Sequence, residues 1–185
     1  MSEIIRPIIL ALSLLFLTGS IAGAPPQEGR VPSPQAETAG LKLAEAEMQA
    51  RRDLDAAERQ FGKDDLRTAK RMSALAEIYR DRGKYAEAES LFKNALGIRE
   101  KSLSESDPSL VKSLAQVASI SHALGKTDEA EALYKRVLAA DKKKPLEDRS
   151  TVAKTLDNLA IVLAARGQFN AAEKSAGEAV AIWRA

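Results

Sequence analysis

Cysteine is missing from all 185 residues, which excludes disulfides, thiolate metal sites, iron–sulfur clusters, cysteine nucleophiles and a cysteine-borne lipid anchor. A single histidine, His122, leaves no histidine cluster for a metal, so no metal or other cofactor is expected. Aromatic residues make up only 4% of the chain, too few for stacking platforms that hold bases or sugars. An excess of one charge is also lacking: 28 Lys and Arg stand among 26 Asp and Glu, for a net charge of +2. That balance does not suit a nucleic-acid-binding surface. Glycine-rich phosphate loops, a nucleophile elbow, a zinc-binding helix and a nucleotide fingerprint are absent, and the chain reads as non-enzymatic. What it does contain, 45% hydrophobic and 29% charged residues, fits one soluble helical domain.

Long hydrophobic runs are scarce. The run from Ile8 to Leu17, broken only by Ser13, follows a short polar start containing Arg6 and is too short to cross about 30 Å of hydrocarbon as a helix. Small residues at Ser20 and Ala22 follow it, so residues 1–22 read as a signal peptide cleaved after Ala22. The expected location is then the bacterial periplasm. Glu3 dilutes the positive start, which keeps an alternative open: an uncleaved segment that anchors the chain in the inner membrane, facing the periplasm. Only in that case is membrane attachment expected. Residues 23–39 carry Pro25, Pro26, Pro32 and Pro34, four of the seven prolines, among Gln, Glu, Gly and Ser, and read as a disordered linker.

Beyond Gly40 the chain repeats. Gly83 opens GKYAEAESLFKNAL, Gly125 opens GKTDEAEALYKRVL and Gly167 opens GQFNAAEKSAGEAV, so the glycines are 42 residues apart, twice. Ahead of each lies a stripe at helical spacing: Met72, Leu75, Ala76 and Tyr79; Leu114, Val117 and Ala118; Leu156, Leu159, Ala160 and Leu163. A second stripe follows each glycine: Ala88, Phe92, Ala95 and Leu96; Ala130, Tyr134, Val137 and Leu138; Ala172, Ala176, Ala179 and Val180. Each unit is therefore a helix, a tight turn at a glycine, and an antiparallel partner helix. Glycine just past a helix end takes the left-handed conformation that a side chain would penalise, and Ala76, Ala118 and Ala160 let paired helices approach closely. Asp107 before Pro108 caps the second unit and Ser150 can cap the third. Leu41 to Gln60, with Ala46, Glu47 and Leu54 in register, reads as the second helix of a degenerate unit.

These glycine, alanine and large-apolar columns resemble tetratricopeptide repeats, and the 42-residue spacing with TLDNLA at Thr155 to Ala160 is similar to the kinesin-light-chain subclass. The resemblance covers residues 40–185, as a half repeat at 41–62 and repeats at 66–103, 107–144 and 149–185. It implies an all-α, right-handed superhelical solenoid of about three and a half repeats, whose first helices line a concave groove that binds a peptide or protein segment. Ser121 departs from the stripe residues Tyr79 and Leu163, and Ala176 replaces the aromatic of the first two units.

One polar column stands in that implied groove. Lys70, Lys112 and Lys154 are 42 residues apart, each two residues before its stripe, and would suit an acidic segment. Asn158 matches the asparagine by which, as the resemblance implies, such repeats hold a peptide backbone. Gln116 offers the same amide chemistry, and Glu77 makes the first unit mixed in charge. Glu89, Glu131 and Glu173 recur at one register, the pattern of a solvated face, and His122 reads as a solvent-facing residue near a helix end. Lys142, Lys143 and Lys144 form a basic loop between units. Ile182 and Trp183 close the last helix with no polar capping helix after them. Two functions stay open: an adaptor whose groove takes a protein segment, acidic by preference, and a structural module that self-associates, as a homodimer, through Ile182 and Trp183.

Overall fold

The computed structural model describes residues 34–141 and 150–184. The apolar run read as a signal peptide, the first part of the proline-rich stretch and the three-lysine loop lie outside them. Seven helices are found among the described residues: α1 (Pro34–Phe61), α2 (Leu66–Asp81), α3 (Tyr85–Ser102), α4 (Pro108–Ala123), α5 (Thr127–Asp141), α6 (Ser150–Ala165) and α7 (Phe169–Trp183). None of these is long and apolar enough to cross a membrane. Residues 40–185 form one compact unit. Helix α1 starts at Pro34, so it takes in residues 34–39 of the stretch read as linker.

Within the unit, α2 pairs with α3, α4 with α5 and α6 with α7, while α3 packs on α4 and α5 on α6. The architecture is an all-α solenoid of stacked antiparallel helix pairs. Both stripes supply its core. Leu114, Val117 and Ala118 are sealed from solvent, as are Phe92, Ala95, Val137 and Tyr134, and the three close-approach alanines are all buried. Helix α1 joins through buried Leu54 and Ala57, an Asp53–Arg71 ion pair of 3.5 Å and Arg51 stacked 5.5 Å from the Tyr79 ring centre.

Each turn closes identically. At Gly83 (φ 72°) the glycine N–H bonds to the Arg80 carbonyl at 2.9 Å and the next N–H, of Lys84, reaches the Tyr79 carbonyl at 2.8 Å. Gly125 and Gly167, at φ 75° and 74°, repeat this two-bond closure. A residue with a side chain would be strained there. Asp107 caps α4 as expected, accepting from the Ser109 N–H at 2.7 Å with Pro108 behind it. Asp65 does the same for α2, accepting from Arg67 N–H at 2.8 Å. Ser121, the departure from the stripe, is fully buried and bonds Glu129 Oε2 at 3.2 Å, so its hydroxyl is not left unpaired.

The last pair differs from the others. Val180, expected in the core stripe, is 43% exposed, and Ala176 is only partly buried. Burial at these positions is provided by the first helix of the following unit, and no described element follows α7.

Candidate functional site

Two sets of charged side chains are built into the stack. The first corrects the solvated-face reading of the glutamate register. Glu47 and Glu131 are buried, and the Glu89 side chain is only 12% exposed. Each is gripped by cations of its own helix and of the next unit's turn. Glu47 bonds Arg51, Arg82 and Lys84; Glu89 bonds Lys93 at 2.9 Å and Lys126 at 2.6 Å; Glu131 bonds Lys135 at 2.7 Å and Arg166. The inter-unit partners stand 35 or 37 residues along the chain, so the repeat period itself delivers a cation to each carboxylate. Glu173, the fourth member, is exposed and without an ion pair among the described residues, as first read.

Desolvation is the largest influence on Glu47 and pushes its carboxyl up. The hydrogen bond and charge of Lys84, with Arg82 and Arg51, outweigh it and hold the group below the ordinary carboxylate value. Glu89 follows the same balance, with Lys126 and Lys93 prevailing over desolvation. For Glu131 the Lys135 hydrogen bond dominates and the result is again a lowered value.

The second set lies between α2 and α4. A pocket of about 430 Å³ is lined there by Lys70, Lys112, Glu77, Gln116, Ser113 and Arg99. Four of the sequence-selected residues thus come together. Glu77 accepts from Gln116 Nε2 at 2.7 Å and lies 3.8 Å from Lys112 Nζ, which ties the first unit to the second across the pocket. Lys70 is exposed and has no ion pair among the described residues.

Arg99 was not singled out by the sequence, yet it forms the floor of this pocket. It comes from the last turn of α3 and is only 8% exposed. Its Nη1 donates to Ser73 Oγ at 2.9 Å and to Ser113 Oγ at 2.6 Å. Both hydroxyls donate in turn to carbonyls four residues back, Ala69 at 3.1 Å and Ser109 at 3.0 Å, so their oxygens are held toward the guanidinium as acceptors. Burial pulls Arg99 below the ordinary arginine value, and the charge of Asp107 only partly offsets this. No carboxylate pairs with it among the described residues. A signal existed in the register: 42 residues before Arg99 stands Ala57, buried and apolar.

Lys154 and Asn158 are exposed on α6 and take no part in this pocket. Ile182 is partly buried, while Trp183 is 50% exposed and donates its indole N–H to Asp157 Oδ2 at 3.2 Å. That bond occupies the register of the Arg99–Ser73 bond, 84 residues on. His122 is half-buried, not solvent-facing, and its Nδ1 is buried without a partner. Among the described residues no group of three or more His, Asp or Glu is placed to hold a metal.

Comparison with known proteins agrees with this architecture. No curated protein matches the chain in sequence. In fold it is similar to BtubC (BKLC) from P. vanneervenii, with a TM-score of 0.73 and 19% identity over 81% of this chain and 60% of that one. The chain thus spans less than two thirds of BtubC. It is also similar to the nearly identical TPR-like repeats assigned to a kinesin light chain of Podosopora anserina, with a TM-score of 0.71 and 22% identity over 80% and 70% of the two chains. MamA is a more distant likeness, at a TM-score of 0.51 and 12% identity over 81% and 86%. Two family models, both described as tetratricopeptide repeat, match adjoining stretches, residues 68–109 and 109–185. With these matches laid over more than half of its length and helix pairs, turns and columns in the same register, the chain belongs to the tetratricopeptide repeat family.

Proposed function

We propose that the chain is an exported, non-catalytic adaptor that binds a segment of a partner protein against its first helices. A solenoid of this kind is consistent with a scaffold for proteins or peptides. The observation that carries the reading is the pocket between α2 and α4, where Lys70, Lys112, Gln116 and Glu77 converge. Its lining offers ammonium and amide donors on rigid helices, suited to carboxylates and backbone carbonyls. Lys154 and Asn158 extend the same register onto α6. The non-catalytic reading rests on Glu47, Glu89 and Glu131, whose carboxylates are held in ion pairs and serve the stack. Export to a bacterial periplasm rests on the apolar run Ile8 to Leu17; retention of that segment would leave the protein anchored in the inner membrane.

The test is a crosslinking pull-down with the mature chain, native against the triple variant Lys70→Glu, Lys112→Glu, Lys154→Glu. A partner captured by the native chain and lost from the variant is the expected result. Partners retained equally by both would overturn the groove reading.

A second reading is favoured by the last helix. Phe169, Glu173, Ala176, Val180 and Trp183 form one stripe of α7, with Phe169 57% exposed. In α3 and α5 the counterparts of Ala176 and Val180, Phe92 and Leu96 and then Tyr134 and Leu138, are buried or partly buried, while Tyr85, the counterpart of Phe169, is itself 40% exposed. Self-association through this stripe predicts concentration-dependent dimers in sedimentation, lost in Trp183→Glu. A monomer at tens of micromolar would count against it.

A further inference from the structure

The pocket floor is a buried cation that no carboxylate pairs with among the described residues, and its register does not call for arginine. At the same register in α1 a buried alanine fills the position, so a small apolar residue packs there. Elsewhere in this chain buried charge is matched: Glu47, Glu89 and Glu131 each have at least two cations. Arg99 has two serine hydroxyls, which are neutral, and they engage one nitrogen of a group with five N–H donors. The remaining nitrogens are not sealed off, since His122 Nδ1 is the buried polar atom left without a partner among the described residues. Arg99 itself lines the pocket, which is where a ligand could meet them.

Resting on the groove reading, we infer that Arg99 is the anchor of an anion site, and that its ligand is an aspartate or glutamate side chain of the bound segment. Ser73 and Ser113 fix the guanidinium from one side, which leaves its free edge to present paired N–H groups to a carboxylate. Lys70 and Lys112 stand at the same pocket and add attraction; Glu77 lines it and Asp107 acts on Arg99, and both limit the net positive charge. A singly charged carboxylate suits that balance better than a dianion. Low exposure makes the site selective as well as attractive, because an uncharged side chain entering the pocket leaves the guanidinium desolvated and unpaired.

The experiment is a display selection from a random twelve-residue peptide library against the full mature chain, wild type and Arg99→Met, with melting temperature measured for both. The wild type should enrich peptides with Asp or Glu at a fixed position. Arg99→Met should lose that enrichment while melting within about 2 °C of wild type or above it, since a flexible apolar side chain replaces a buried charge. Arg99→Lys, which keeps the charge without the planar fork, should bind a selected acidic peptide about tenfold more weakly. Wild-type peptides without an acidic bias would overturn the anion site and leave the groove reading standing. An acidic bias unchanged in Arg99→Met, or a lower melting temperature with unchanged peptide affinity, would overturn it too and make Arg99 structural. A wild type that selects no peptide at all would remove the anion site and the groove reading together. Should Arg99→Met fail to fold, full affinity in Arg99→Lys would be the overturning result.

Discussion

Two regions of this solenoid bury charge, and they do so in opposite ways. Along the seams between units, Glu47, Glu89 and Glu131 sink into the stack and meet cations that the next turn supplies. Under the pocket between α2 and α4, Arg99 sinks equally far and meets only hydroxyls. A buried charge costs several kcal/mol to desolvate, and pairing must offset it. At the seams the offset is internal, so those charges serve the fold; at Arg99 it is incomplete, and the deficit is what a bound carboxylate would supply.

The largest test of the contrast removes the seam charges together. The triple variant Glu47→Gln, Glu89→Gln, Glu131→Gln should lose roughly 3–6 kcal/mol of stability, about 1–2 at each site, because partially exposed cations limit the value of each pair. Denaturant unfolding measures it, and a loss below about 1 kcal/mol would make the seams ornamental.

Acid should reveal the same charges more gently. All three carboxyls lie below their ordinary value of 4.5 in the folded chain, so they contribute stability above that pH and lose it as pH falls through the folded-state values. The wild-type melting temperature should drop between about pH 5 and pH 3 more steeply than that of the triple variant. Parallel curves would place the acid sensitivity elsewhere.

The smallest effect is expected within a single register. Glu131→Gln should lower the melting temperature by about 2–6 °C, whereas Glu173→Gln, exposed and unpaired, should leave it within about 1 °C. Equal shifts would mean that burial by a following unit does not separate the two positions.

Much of the fold was legible because it depends on local rules. Gly83, Gly125 and Gly167 had to follow helices, and their positive φ values are the conformation that only glycine adopts cheaply. Every residue of the stripes read at helical spacing in α2, α4 and α6 is buried, although the stripes did not include others that are buried too, such as Leu110, Ile120 and Val162. Among site residues, Lys70, Lys112, Gln116 and Glu77 were found by register, since equal positions on stacked first helices share a face. Arg99 escaped because arginine in the last turn of a helix is ordinarily a solvated residue that suits the helix dipole. Arg136, in the middle of α5, is by contrast partly exposed and pairs with Glu100 and Glu105.

By itself, then, the sequence determined the helices, their turns, the 42-residue register and the family. Only the tertiary structure decided which charges are buried and how each is paired. Propensity, capping and turn conformation are carried by a few neighbouring residues, but desolvation is imposed by whatever packs across from a side chain. Glu131 and Glu173 carry the same residue at the same register, but Glu131 is met by Lys135 on its own helix and by Arg166 from the next turn, whereas Glu173 has Gly177 at the Lys135 position and no described unit across from it.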